Sequence, residues 1–99
     1  MKRFDEIKNI LILNKDFFME KYRVKELGVF GSYVRQEQDE QSDIDVLIDF
    51  EEDANIGLFK FMDIESELSK LIGVKVDLVL KRALKPAIGQ HIIREVIYI

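Results

Sequence analysis

Apolar residues recur at helical steps over the first quarter of the chain. Phe4, Ile7, Leu11 and Phe18, joined by Ile10 and Phe17, predict an amphipathic helix from about residue 2 to residue 22, with one broad face for the core. The period then shortens. Val24 to Phe30 reads as a strand, and Gly28 within it marks a place where another backbone approaches closely. After Gly31-Ser32, Tyr33 to Glu37 is expected to form a short helix and Gln38 to Ser42 a polar loop. Asp43 to Phe50 alternates as a second strand, with Ile44, Val46 and Ile48 on one face and Asp43, Asp45, Leu47 and Asp49 on the other.

The second half repeats the theme. Leu58, Phe61, Met62, Leu68, Leu71 and Ile72 predict a long helix closed by Gly73 as its C-cap. Val74 to Leu80 is a β-branched strand whose Lys75, Asp77 and Val79 face away from Val74, Val76, Leu78 and Leu80. Lys81 to Lys85 is a basic, solvated loop. Pro86 opens a last helix over about 86–95, with Ile88, Ile92 and Val96 along one side. The apolar tail Val96-Ile97-Tyr98-Ile99 is a candidate edge strand. This order predicts an α/β (α+β) fold, a small mixed β-sheet with helices packed on one face. The opposite face would carry Asp43, Asp45 and Asp77 and is expected to stay open.

Composition narrows the picture. Residues 1–99 are expected to fold as a single domain, because a chain of 99 residues builds one core. A hydrophobic content of 47% fits a globular domain rather than a disordered one. Cysteine is absent and there is one histidine, His91, expected to be structural or exposed, so thiolate chemistry and Cys- or His-rich metal sites are excluded. The start of the chain leads into the amphipathic pattern rather than a signal peptide, and no apolar run reaches membrane-spanning length; a cytoplasmic protein without a membrane partner is the simplest expectation. The formal charge of −4 is unevenly spread, since Gln36 to Asp53 holds nine acidic residues and no basic one. That concentration disfavours nucleic acid as a direct partner.

The acidic residues include the candidate chemistry. Asp43 and Asp45 sit two apart at the start of a strand and so point the same way. At roughly 5–7 Å and an effective dielectric near 20, two such charges repel by about 2–3 kcal/mol, a liability that a divalent cation would turn into a site. Mg²⁺ favours oxygen ligands and is commonly held by one or two carboxylates plus substrate phosphates. With Asp77 on the next strand, the set fits a two-metal phosphoryl-transfer layout, with Asp43, Asp45 and Asp77 as metal ligands and catalytic residues. Gly31 lets the backbone approach an anion, Ser32 adds a hydroxyl, and Arg35 is a phosphate clamp or, equally, a surface ion-pair partner of Glu37 or Asp39.

Gly31-Ser32, then Asp43-Ile44-Asp45 after ten residues, then Val76-Asp77-Leu78, resembles the nucleotidyltransferase superfamily of the polymerase beta type. Gly31 to Arg35, Ser42 to Asp45, and the ending from Leu84-Lys85-Pro86 through Arg94 to Ile99 are most similar to its minimal nucleotidyltransferases, and the likeness spans nearly the whole chain. Gln36 departs from the pattern; the subfamily usually has Gly after the Arg. The resemblance implies an Mg²⁺-dependent enzyme, with ATP as substrate and two metal ions, that moves AMP onto a tyrosine of a HEPN-type ribonuclease toxin and so acts as its antitoxin. Two other readings stand beside it. One is a binding module that neutralises its partner by contact alone. The other is a small-molecule nucleotidyltransferase of the antibiotic-modifying kind.

Overall fold

Val24–Phe30 (β1) and Ile44–Phe50 (β2) lie antiparallel at the centre of a four-stranded sheet. The computed structural model describes residues 2–99. Val76–Leu80 (β3) runs parallel to β2, and Ile97–Tyr98 (β4) runs antiparallel to β1, giving the order β3-β2-β1-β4. A parallel neighbour needs a long crossover, and Leu58–Ile72 (α3) supplies it between β2 and β3. Phe4–Tyr22 (α1) precedes the sheet, and Pro86–Glu95 (α4) follows β3 after a 3-10 turn at Lys81–Ala83.

One face of the sheet holds the main core. Ile44, Val46 and Ile48 from β2 and Val76 and Leu78 from β3 meet Ile7, Leu11 and Phe18 of α1 and Ile64, Leu68 and Ile72 of α3. Complete burial of one such aliphatic side chain contributes roughly 1.5–3 kcal/mol. Leu68→Ala, at a residue with no exposed surface, would therefore cost about 2–5 kcal/mol through lost transfer energy and the cavity left behind. Gly73 ends α3 at φ 80°, as its C-cap position requires, and its N–H donates to Ser69 O.

The second face is not left open along its length. Alternation places Phe30, Asp45, Leu47, Asp77 and Val79 there together. Phe30 and Leu47 need cover, and α4 provides it: Ile92 packs on them, with Val79, Leu84 and Val96 around it. Ile88 does not join this contact and stays exposed. The remaining uncovered end of the face is the one that bears Asp45 and Asp77. Val96 and Tyr98 pass so close to β1 that a Cβ on Gly28 would lie 2.6 Å from Val96 Cγ2.

Both ends of the sheet are tied by side chains. The outward N–H groups of β3 are capped from α3, Val76 donating to Ser69 Oγ and Leu78 to Glu65 Oε2, each at 2.9 Å. Lys81 and Arg82, expected to be freely solvated, are held instead. Lys81 Nζ donates to Glu26 Oε2 at 2.8 Å, and Arg82 Nε to Asp49 Oδ1 at 2.8 Å. Sequence spacing could not show this, because both partners lie on strands more than thirty residues earlier.

Candidate active site

The aspartates are brought to one end of the sheet by strand register. Asp45 and Asp77 are direct partners across β2 and β3, and Phe30 at the end of β1 is opposite Asp45 on the other side. Asp43 stands one residue before β2 and is exposed; its Oδ2 lies 3.9 Å from Lys75 Nζ. Among the described residues no three His, Cys, Asp or Glu side chains are grouped closely enough to hold a metal ion by themselves. The three aspartates are an open set, unlike a closed structural cage.

Electrostatics nonetheless tie them together. The Asp45 carboxyl is pushed up to about 6, first by burial and then by the negative charges of Asp77 and Asp43; Glu95 adds to the same effect and Arg35 opposes it. A half-buried carboxylate that three like charges disfavour is a group a cation would relieve. The donors are all carboxylate oxygens, the chemistry that suits Mg²⁺. The donor chemistry therefore suits such an ion, and its further ligands would have to come from outside this set.

Gly31 is shaped by this arrangement. It takes φ 82°, a conformation that side chains rarely adopt, and a Cβ there would lie 2.0 Å from Asp45 Oδ2. Only glycine lets the turn after β1 lie against that carboxylate. Ser32 opens the next helix, Ser32–Arg35 (α2), which is a single turn and shorter than the segment to Glu37 that the pattern predicts. A dipole summed over one turn is small, so any pull on an anion rests on individual N–H groups and Arg35 rather than on the helix. Tyr33 of α2 is buried, and a surface cavity of about 470 Å³ beside it borders Asp43 alone of the three aspartates.

Arg35 is paired, as one of its two expected roles allows. Its Nε lies 3.3 Å from Glu37 Oε2, and its Nη1 donates to Glu95 Oε1. Glu95 was not among the candidate residues. It ends α4, and its Oε2 also accepts the Gly31 N–H at 2.9 Å. Burial pushes its carboxyl upward, but the bonds from Arg35 and Gly31 outweigh burial and hold it below its ordinary value. Nothing in its local sequence marks Glu95, because it reaches Gly31 only through the docking of α4 on Phe30 and Leu47.

A mixed sheet that presents in-register aspartates beside a glycine-serine turn is a nucleotidyl-transfer architecture. Residues 13–99 match the family model of the nucleotidyltransferase domain. Protein adenylyltransferase MntA of Thermococcus cleftensis is 46% identical over 100% of this chain and 98% of its own length. A solved structure of a provisionally assigned minimal nucleotidyltransferase superposes with a TM-score of 0.71 at 32% identity, covering 94% of this chain and 88% of that one. The fold, at 18% identity and a TM-score of 0.64, also recurs in a chain of the complex of a tri-AMPylated Shewanella oneidensis HEPN toxin with an MNT antitoxin, over 94% of this chain and 67% of that one. The chain belongs to the nucleotidyltransferase domain family, and within it is similar to MntA.

Proposed function

We propose that this protein is an Mg²⁺-dependent protein adenylyltransferase that moves AMP from ATP onto a hydroxyl of a HEPN-type toxin and thereby acts as an antitoxin. The observation that carries this reading is the register of Asp45 with Asp77 next to Gly31 and Arg35. The name of the Thermococcus cleftensis relative and the toxin complex with the same fold support the choice of reaction and partner.

Asp43, Asp45 and Asp77 would hold the metal, which when bound supplies charge neutralisation at the phosphates. Gly31 N–H, Ser32 Oγ and Arg35 would bind and orient the terminal phosphates. The acceptor oxygen attacks the α-phosphorus, and the bond from that phosphorus to the bridging oxygen breaks. Pyrophosphate leaves with the electron pair. Asp77, exposed beside Asp45, would take the acceptor's proton. The acceptor comes from the partner, over the uncovered end of the sheet.

Incubation with labelled ATP, Mg²⁺ and the co-expressed partner tests this, with AMP adducts read by mass. Wild-type protein should label the partner, and Asp45→Asn should not. A second reading, neutralisation by contact alone, draws on the apolar side chains that α1 and α3 expose, Leu13 at 83% and Phe59 at 81%. It predicts that Asp45→Asn still protects cells from the partner, whereas the transferase reading predicts that protection is lost.

A further inference from the structure

Glu95 occupies two of the three donors that the proposed reaction assigns to phosphate. The Gly31 N–H and the Arg35 guanidinium both point at its carboxylate, one oxygen each. Glu95 is the more buried of the pair, its side chain 16% exposed against 43% for Arg35. The carboxylate is an anion with two oxygens presented to two donors, which is also how a phosphate would engage them. While Glu95 sits there, Arg35 is neutralised, the Gly31 N–H is used, and a further negative charge bears on Asp45. A triphosphate cannot take the same donors without displacing it.

We infer that Glu95 is an internal anion that competes with the nucleotide's terminal phosphates for Gly31 and Arg35, and so sets how tightly the nucleotide binds. This inference rests on the phosphate-binding roles proposed above. Its consequence is a link between the site and α4. Glu95 is the last residue of that helix, and Ile92, one turn earlier, packs on Phe30 and Leu47. Whatever moves the end of α4 away from the sheet withdraws the competitor from the Gly31 N–H and from Arg35 Nη1 together, leaving Glu37 on Arg35 Nε.

An occupant engaged about nine-tenths of the time weakens apparent affinity about tenfold. The test titrates magnesium tripolyphosphate, and separately the Mg²⁺ complex of AMP-PNP, into wild-type protein and Glu95→Gln by calorimetry. The Gln side chain keeps the shape and loses the charge. The dissociation constant should fall about three- to tenfold for both ligands, and the KM for ATP should fall with it. An unchanged or larger dissociation constant for Glu95→Gln overturns the inference and makes Glu95 a support for the turn. If that happens while wild-type protein still labels its partner, the transferase reading survives alone. Tighter tripolyphosphate binding without any AMP transfer leaves the competitor in place and removes the transferase reading. A measurement on the wild type covers the case in which the variant does not fold. Under tripolyphosphate, the Gly31 amide resonance and the Glu95 carboxyl carbon resonance should shift together. A shift of Gly31 with Glu95 unmoved also overturns the inference.

Discussion

Asp45 and Asp77 stand opposite one another in register across parallel strands, on the sheet face that also carries Phe30 and Leu47. Neither strand offers a cation to separate them, and burial and like charge together raise the Asp45 carboxyl to about 6 from 3.8. A raised carboxyl favours the folded state while protonated. Its contribution is therefore fully present below about pH 3.8 and is lost as pH rises through about 6. Asp45→Asn removes that loss. In metal-free buffer the variant should be more stable than wild type at pH 8 by about 1 kcal/mol, a figure already reduced for solvent screening of a half-exposed group. The difference should shrink toward zero near pH 4. Urea unfolding at the two pH values measures it, and an Asn variant less stable at pH 8 would show that Asp45 makes a favourable contact in the fold.

Gly31→Ala should be damaging for two separable reasons. The left-handed backbone costs an L-residue about 1 kcal/mol or more, and the new methyl would meet the Asp45 carboxylate head-on. The combined loss should be about 2–4 kcal/mol. In the double variant with Asp45→Ala only the 3.3 Å contact with the residue-45 Cβ remains of the steric part, so the additional cost of Gly31→Ala should drop most of the way to the backbone term. Thermal unfolding of the four proteins in this cycle reads both terms. Equal costs in the two backgrounds would show that the turn moves aside to accept a side chain.

Much of this was legible in the sequence. β1, α3 and α4 run where periodicity and the signals at Pro86 and Gly73 put them, and Asp45 and Asp77 share a face because alternation in two strands is a local property. What local pattern cannot show is where a helix docks. The cover that α4 gives to the second face depends on Phe30, Leu47 and Ile92 meeting in space, and Glu95 arrives at Gly31 as a result. Likewise, Lys81 and Arg82 look like a solvated basic loop until β1 and β2 bring Glu26 and Asp49 beside them. The one-turn length of α2 was also hidden, because Glu37 continues a helical composition that the left-handed Gln36 interrupts.

Ser69 ties α3 to the edge of the sheet with a single hydroxyl. Its Oγ donates to Glu65 O at 2.8 Å and accepts the Val76 N–H at 2.9 Å. Ser69→Ala leaves that N–H without its partner, and an unmet backbone donor costs about 1–3 kcal/mol. The edge of β3 also loses part of its cap, which invites pairing with other chains. The variant should unfold at lower urea and show faster exchange at the Val76 amide than wild type. Unchanged exchange there would mean that water replaces the hydroxyl without loss.

Gln36 stands where the resemblance to minimal nucleotidyltransferases leads to an expectation of Gly, and the backbone there carries a cost. Gln36 sits at φ 60° and ψ 36° as the C-cap of α2, the left-handed conformation that glycine adopts without penalty. A side chain with a Cβ gives up about 1 kcal/mol there. Part of that returns because glycine loses more chain entropy on folding, so Gln36→Gly should stabilise the protein by a net amount of up to about 1 kcal/mol. The Gln36 side chain is exposed, so little packing is lost to offset the gain. Gln36→Ala isolates the backbone effect, since Ala keeps the Cβ and should leave stability near wild type. Urea midpoints for the three proteins decide the matter. If Gly and Ala behave alike, the left-handed cap is not a source of strain, and the turn that carries Arg35 tolerates Gln for some other reason.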